Sequence, residues 1–260
     1  MSSELKETIS ARDVIEAVAG EGGAARLLGG RAVAACGGER IPDSLRRFSS
    51  DIDIIIRKQD RKAVKLAMET LGCLPATEFN LLNGKERMIF YAGETKIDVF
   101  IERFRMCHVL DLSARIPLCP FTLPPADLLL TKLQVVKLER KDMMDTAALL
   151  LTVPQGVGNP EAIDTAYLGR LLGADWGLWR TSTNTLASVR NEAAALCSST
   201  ALGQVLCEAI DMLESAIESA PRSLAWKMRA VLGERTPWYE LPEEPEVRAD
   251  PVRRASASPA

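Results

Sequence analysis

Arg46-Arg47-Phe48-Ser49-Ser50-Asp51-Ile52-Asp53-Ile54-Ile55-Ile56 is the stretch on which the reading of this chain turns. Its isoleucine run has the pattern of a buried strand. Two aspartates stand one residue apart at the head of that run. Residues i and i+2 of a strand point to the same face, so Asp51 and Asp53 project together. Carboxylates that close repel, and burying them unpaired is expensive. A divalent cation resolves the conflict, and hard cations such as Mg²⁺ select oxygen ligands. A plainer reading also stands, in which Asp51 caps the loop and Asp53 meets Arg57 or Lys96.

The composition narrows the chemistry. At 260 residues, with 47% apolar and 26% charged side chains, the chain has the make-up of a soluble globular protein with a sizeable core. A net charge of -3 gives no global pull toward nucleic acid or anionic membrane, so any such contact must use a local patch. No stretch approaches the ~18 apolar residues of a membrane span. The polar opening Met1 to Glu7 lacks the apolar core of a signal peptide. Six cysteines without a C-x-x-C pair read as reduced thiols of a cytoplasmic protein. With His108 the single histidine, zinc sites and histidine-based triads are disfavoured. Carboxylates are what remains.

Working outward from the aspartates, residues 11–20 suit a short amphipathic helix, and 24–28 a strand that runs into Gly29-Gly30 and a small-residue helix start. A strand–Gly-Gly–helix passage lets backbone approach a ligand and aims helix N–H groups at an anion, although adjacent glycines also make ordinary turns. Downstream, Asp60 is placed to cap a helix over 61–71. Strands follow at 87–91 and 96–102, joined by the hairpin-sized 92–95. Asp98 alternates with Ile97 and Val99, so it lies on the face opposite these core residues. Residues 103–123 read as irregular. From Asp127 the pattern is helical through Leu151, and the Pro/Gly-containing 153–160 reads as a linker. Beyond it lie helical candidates at 161–172, 181–196, 200–219 and 222–232, with no strand between them. Trp176, Trp179 and Trp226 read as packing anchors.

Two-metal phosphoryl transfer needs carboxylates that bridge two ions ~3.5–4 Å apart and a further one-sided ligand. Asp51 and Asp53 suit the first role and Asp98 the second. The order Gly29-Gly30-x-Ala32, Arg47-x-Ser49-x-Asp51-Ile52-Asp53, Asp98, then Lys132 with Lys141-Asp142-x-x-Asp145 resembles the DNA polymerase β-type nucleotidyltransferase superfamily, and within it the AbiEii/AbiGii-type enzymes. That group includes toxin components of toxin–antitoxin and phage-defence systems. The resemblance covers roughly residues 24–151.

The resemblance implies a role for each matched position. Gly29 and Gly30 would cradle the β- and γ-phosphates of an NTP, and Arg47 and Ser49 would contact the triphosphate. Asp51, Asp53 and Asp98 would be catalytic and hold two Mg²⁺ or Mn²⁺ ions. Asp98 would also take the proton from an acceptor hydroxyl. Lys132 would lie near phosphate or base, with Asp142 and Asp145 ordering it; these three also read as a plain helix-surface ion-pair set. The implied activity is transfer of a nucleoside monophosphate to an RNA 3′ end, a protein or a small molecule, with a cognate antitoxin as a further partner. The alternative is a catalytically silent protein of the same fold that binds a nucleotide or a partner protein. The expected architecture is α+β: a nucleotidyltransferase core with a small mixed sheet and flanking helices at 1–110, and a helical segment completing the cleft at 111–155. An all-helical region at 156–239 and a disordered tail at 240–260 follow.

Overall fold

A computed structural model describes residues 9–241. The proposed tail therefore lies outside the described residues, Glu240 and Leu241 apart. The chain opens with α1 (Ala11–Gly20), whose start is a reciprocal cap: Ser10 Oγ accepts from the Asp13 amide at 3.2 Å, and Asp13 accepts from the Ser10 amide at 2.8 Å. Next come β1 (Ala25–Leu28), α2 (Gly29–Gly37), β2 (Ile52–Ile56) and α3 (Arg61–Thr70). The sheet is completed by β3 (Leu74–Pro75), α4 (Thr77–Asn83), β4 (Arg87–Ala92) and β5 (Thr95–Ile101).

The five strands lie in the order β1-β2-β5-β4-β3. Only the β2–β5 pair is parallel; the other neighbours are antiparallel. A parallel pair needs a crossover, and here α3, β3, α4 and β4 supply it, leaving the two strands that carry Asp53 and Asp98 side by side at the centre. Ile52, Ile54, Ile55 and Ile56 are all fully buried, which is why this run shows no polar alternation. Asp98 is 2% exposed on a central strand, so it is a buried carboxylate rather than a solvated one at a sheet edge.

Other departures are local. Asp60 precedes α3 but its side chain caps nothing; it accepts from Arg57 Nε at 3.4 Å. The segment read as irregular holds a hairpin, β6 (Arg103–Arg105) with β7 (Val109–Asp111). The helical run from Asp127 is two helices, α5 (Pro125–Leu133) and α6 (Arg140–Thr152). Within 153–160 lies β8 (Gln155–Gly156), which pairs with β9 (Ile163–Asp164), so the later region is not wholly helical.

The remainder is α7 (Thr165–Ala174), α8 (Trp176–Asn191), α9 (Ala193–Cys197), α10 (Thr200–Ser219) and α11 (Leu224–Leu232). Here α8 starts at Trp176, ahead of the expected 181, because Asp175 caps it by accepting from the Leu178 amide. One continuous core runs from Val14 to Ile217, through the sheet and the later helices. At its seam Asp127 of α5, with no exposure, accepts from Arg115 Nε at 2.8 Å and from the Tyr167 hydroxyl of α7 at 2.6 Å. No residue of α11 is fully buried; it is held by rings and cations. Arg222 lies over Trp179 and Trp226, and Arg229 over Trp176. Trp176 meets Trp238 edge-on at 5.9 Å. Among the described residues, no helix is long and apolar enough to cross a membrane.

Candidate functional site

The central parallel pair sets the site. Its register places Asp53 directly opposite Asp98, and β1 places Leu28 opposite Asp53 on the other side. The chain leaves Leu28 straight into Gly29, which takes a left-handed φ of +70° at the first position of α2. Glycine is required there twice over. A Cβ on Gly29 would come within 2.2 Å of Asp53 Oδ2, and a Cβ on Gly30 within 2.2 Å of Arg47 Nη2. The two glycines are thus the surface against which the carboxylate and the guanidinium lie.

Arg47 reaches across this turn to α6. Its Nε and Nη2 donate to the two oxygens of Asp145 at 2.7 and 2.5 Å, a bidentate fork. These bonds raise the Arg47 pKa despite its burial. Lys132, in the last turn of α5, bridges Asp145 at 2.9 Å and Asp142 at 3.2 Å. Lys132 is 12% exposed, Asp142 10% and Asp145 4%, so this is a desolvated network rather than a set of surface pairs. Ser49 enters by its backbone: its carbonyl accepts from Arg31 Nε at 3.0 Å, and the Ser50 carbonyl from Arg31 Nη2 at 2.8 Å. Arg31 therefore fixes the approach to Asp51, whose side chain, among the described residues, accepts only from Ser50 Oγ at 2.9 Å.

Asp53 carries no hydrogen bond or ion pair from another side chain among the described residues. Burial pushes its pKa up to about 6, the Asp98 carboxylate adds to the push, and Lys132 and Lys96 oppose it. Asp98 is the reverse case. Arg87 Nε and Nη2 donate to its two oxygens at 2.7 and 2.5 Å, and Lys96 Nζ to Oδ2 at 2.8 Å. Burial lowers the Arg87 pKa, but its bonds to Asp98 outweigh that and leave it raised.

No protein-family model, curated protein or solved structure matches this chain. The site is therefore judged on its own geometry. Among the described residues, no group of three or more His, Cys, Asp or Glu side chains forms a ready metal cage. Asp51 and Asp53 nevertheless fit a divalent cation, because among the described residues neither is bonded to a positive group and no Cβ at Gly29 crowds the Asp53 Oδ2. Asp98 is already taken by Arg87 and Lys96.

The structure thus gathers Gly29, Gly30, Arg47, Asp51, Asp53, Asp98, Lys132, Asp142 and Asp145 around one end of β2 and β5. The Asp53 partners considered from sequence are engaged elsewhere: Arg57 with Asp60, Lys96 with Asp98. Arg31 and Arg87 were missed. The one signal for Arg87 was a charged residue heading an otherwise apolar strand. The six described cysteines are free thiols, and His108 Nε2 lies 2.9 Å from Thr181 Oγ1, away from the carboxylates.

Proposed function

We propose that the chain is a nucleotidyltransferase that moves a nucleoside monophosphate from an NTP to an acceptor hydroxyl. In that reaction the acceptor oxygen bonds the α-phosphorus while the bond to the bridging oxygen of the β-phosphate breaks, releasing pyrophosphate and the hydroxyl proton. The observation that carries this reading is the glycine pair, which seats a carboxylate with no cation, Asp53, and a fixed cation, Arg47, on one turn at a helix N-terminus.

The remaining groups suit the same chemistry. The first N–H groups of α2 have no side-chain cap and are donors for a phosphate oxygen. Arg47 and Lys132 are positive groups held in place by Asp145 and Asp142, ready to bond triphosphate oxygens without being reoriented. Asp51 and Asp53 would hold a Mg²⁺ or Mn²⁺ ion, which when bound supplies charge neutralisation at the phosphates. The acceptor class, RNA 3′ end, protein or small molecule, follows from the resemblance in the motifs, as do a neutralising antitoxin partner and a toxin role. Free thiols support a cytoplasmic setting.

A second reading has an observation of its own. Asp98, the expected third ligand and proton acceptor, is charge-paired with Arg87 and Lys96, as suits a protein that binds nucleotide without transferring it. Incubation with labelled NTPs, Mg²⁺ and total RNA or protein separates the two. Label transfer by the wild type, lost in an Asp51→Ala/Asp53→Ala double variant, supports the enzyme. Nucleotide binding by both, with no transfer by either, leaves the silent binder.

A further inference from the structure

The clamp on Asp98 is built rather than incidental. Register across β4 and β5 sets Arg87 opposite Phe100 and Ile89 opposite Asp98, so Arg87 reaches Asp98 along the diagonal of one sheet face. Its guanidinium lies 4.9 Å from the Phe100 ring centroid and 5.9 Å from that of Phe79 on α4, which restrict its swing. It spends its Nε–Nη2 edge on the two Asp98 oxygens, and Lys96, two residues along the same strand, adds a third donor to Oδ2.

The charges around the site divide accordingly. Asp98 is matched by Arg87 and Lys96, while Asp142 and Asp145 are matched by Arg47 and Lys132. Among the described residues, Asp51 and Asp53 are the site carboxylates left without a bonded positive group, a pair of oxygen donors suited to one divalent cation. A second divalent ion at Asp98 would have to break three charge-assisted bonds inside a shell that buries the carboxylate to 2% exposure.

We propose that the site takes a single divalent cation, on Asp51 and Asp53, and that Arg87, aided by Lys96, stands in for the second by holding Asp98 out of coordination. Arg87 is then a positioning residue: it acts on Asp98, and touches neither phosphate nor acceptor. This rests on the cation-binding part of the function proposed above. It replaces the two-ion arrangement implied by the sequence motifs with a one-ion site completed by a protein cation.

The test is a count of Mn²⁺ bound to the full-length chain without nucleotide, read from the loss of the free Mn²⁺ electron paramagnetic resonance signal. Circular dichroism verifies that each variant is folded. The wild type is expected to bind one Mn²⁺, and Asp98→Asn to bind one as well. Arg87→Gln/Lys96→Met is expected to bind two, returning to one when Asp98→Asn is added. Arg87→Lys, which keeps a positive group beside Asp98, is expected to stay at one. Two Mn²⁺ on the wild type, the second lost in Asp98→Asn, overturns the proposal; so does a single Mn²⁺ on the folded Arg87→Gln/Lys96→Met variant. A wild type that binds no Mn²⁺ beyond an Asp51→Asn/Asp53→Asn variant overturns the underlying cation reading, a result distinct from the other two. The wild-type and Asp98→Asn counts decide the matter even if the clamp variant does not fold.

Discussion

Gly29→Ala tests whether the glycine turn is shaped around Asp53. The backbone there has a φ of +70°, and an added Cβ would come 2.2 Å from Asp53 Oδ2 and 3.1 Å from its Cγ. An L-residue in the left-handed region costs about 1–2 kcal/mol. Turning the Asp53 carboxylate off its rotamer to clear the methyl adds about 0.5–1.5 kcal/mol. Together these predict a loss of about 1.5–3.5 kcal/mol, or a fall in midpoint of roughly 3–14 °C for a chain of this size. The two parts separate in a double-mutant cycle. In an Asp53→Ala background the clash is gone, so the same glycine change should cost only the backbone part, about 1–2 kcal/mol. Urea unfolding of the four proteins, followed by far-ultraviolet circular dichroism, gives the numbers. Equal costs in the two backgrounds refute the packing argument, and a cost below about 0.5 kcal/mol in both, the range of an ordinary surface change, refutes the backbone argument as well.

Asp53 also makes a statement about pH. Its folded pKa is pushed up to about 6 by burial and by Asp98, while an unfolded aspartate titrates near ~3.9. The native chain therefore keeps a proton that the unfolded chain loses between about pH 4 and pH 6, and this group makes stability fall as pH rises through that window. Asp53→Asn removes the effect: it should match the wild type below about pH 4 and exceed it in stability above about pH 6, and a stability difference that does not change with pH would sink the assignment. At the seam between α5 and α7, Asp127→Ala strands the Arg115 guanidinium and the Tyr167 hydroxyl, and should cost about 3–5 kcal/mol in urea unfolding, the usual penalty for halving a buried ion pair. Mn²⁺ binding should be unaffected by that change, and a loss under about 1 kcal/mol would mean the pair is not what joins the helices.

How much of this was legible depended on whether a signal was local. The Ile52–Ile56 strand, the β4–β5 hairpin and the start of α2 each declare themselves within a few residues, through β-branched runs or glycines. Neither β3 nor α4 does. Both are short, and α4 exposes Leu81 and Leu82 instead of burying a stripe, so periodicity has nothing to read. What settles α4 in place is a single amide: Asn80 bonds both the N–H and the carbonyl of Ile89 in the manner of a neighbouring strand. The site divides the same way. Asp51, Asp53 and the glycines are close in spacing or pattern, whereas the Arg87–Asp98 clamp depends on the register of two strands and on how far a long side chain reaches, neither of which any spacing states. Lys132, Asp142 and Asp145 could be listed from the motif, yet that they are buried against Arg47 is a property of the α5–α6 packing.

The aromatic cluster has a practical consequence. All four tryptophans, Trp176, Trp179, Trp226 and Trp238, sit in the later helices and the segment after them, and none in the five-stranded sheet or α1 to α6. The molecule therefore carries a built-in optical label confined to one side. Intrinsic emission follows the environment around α8 and α11, while the layer that holds the carboxylates is dark at that wavelength. If the shared core melts as one, emission and circular dichroism trace the same curve; a tryptophan placed at Phe90 of β4, 5% exposed, would give the sheet a colour of its own.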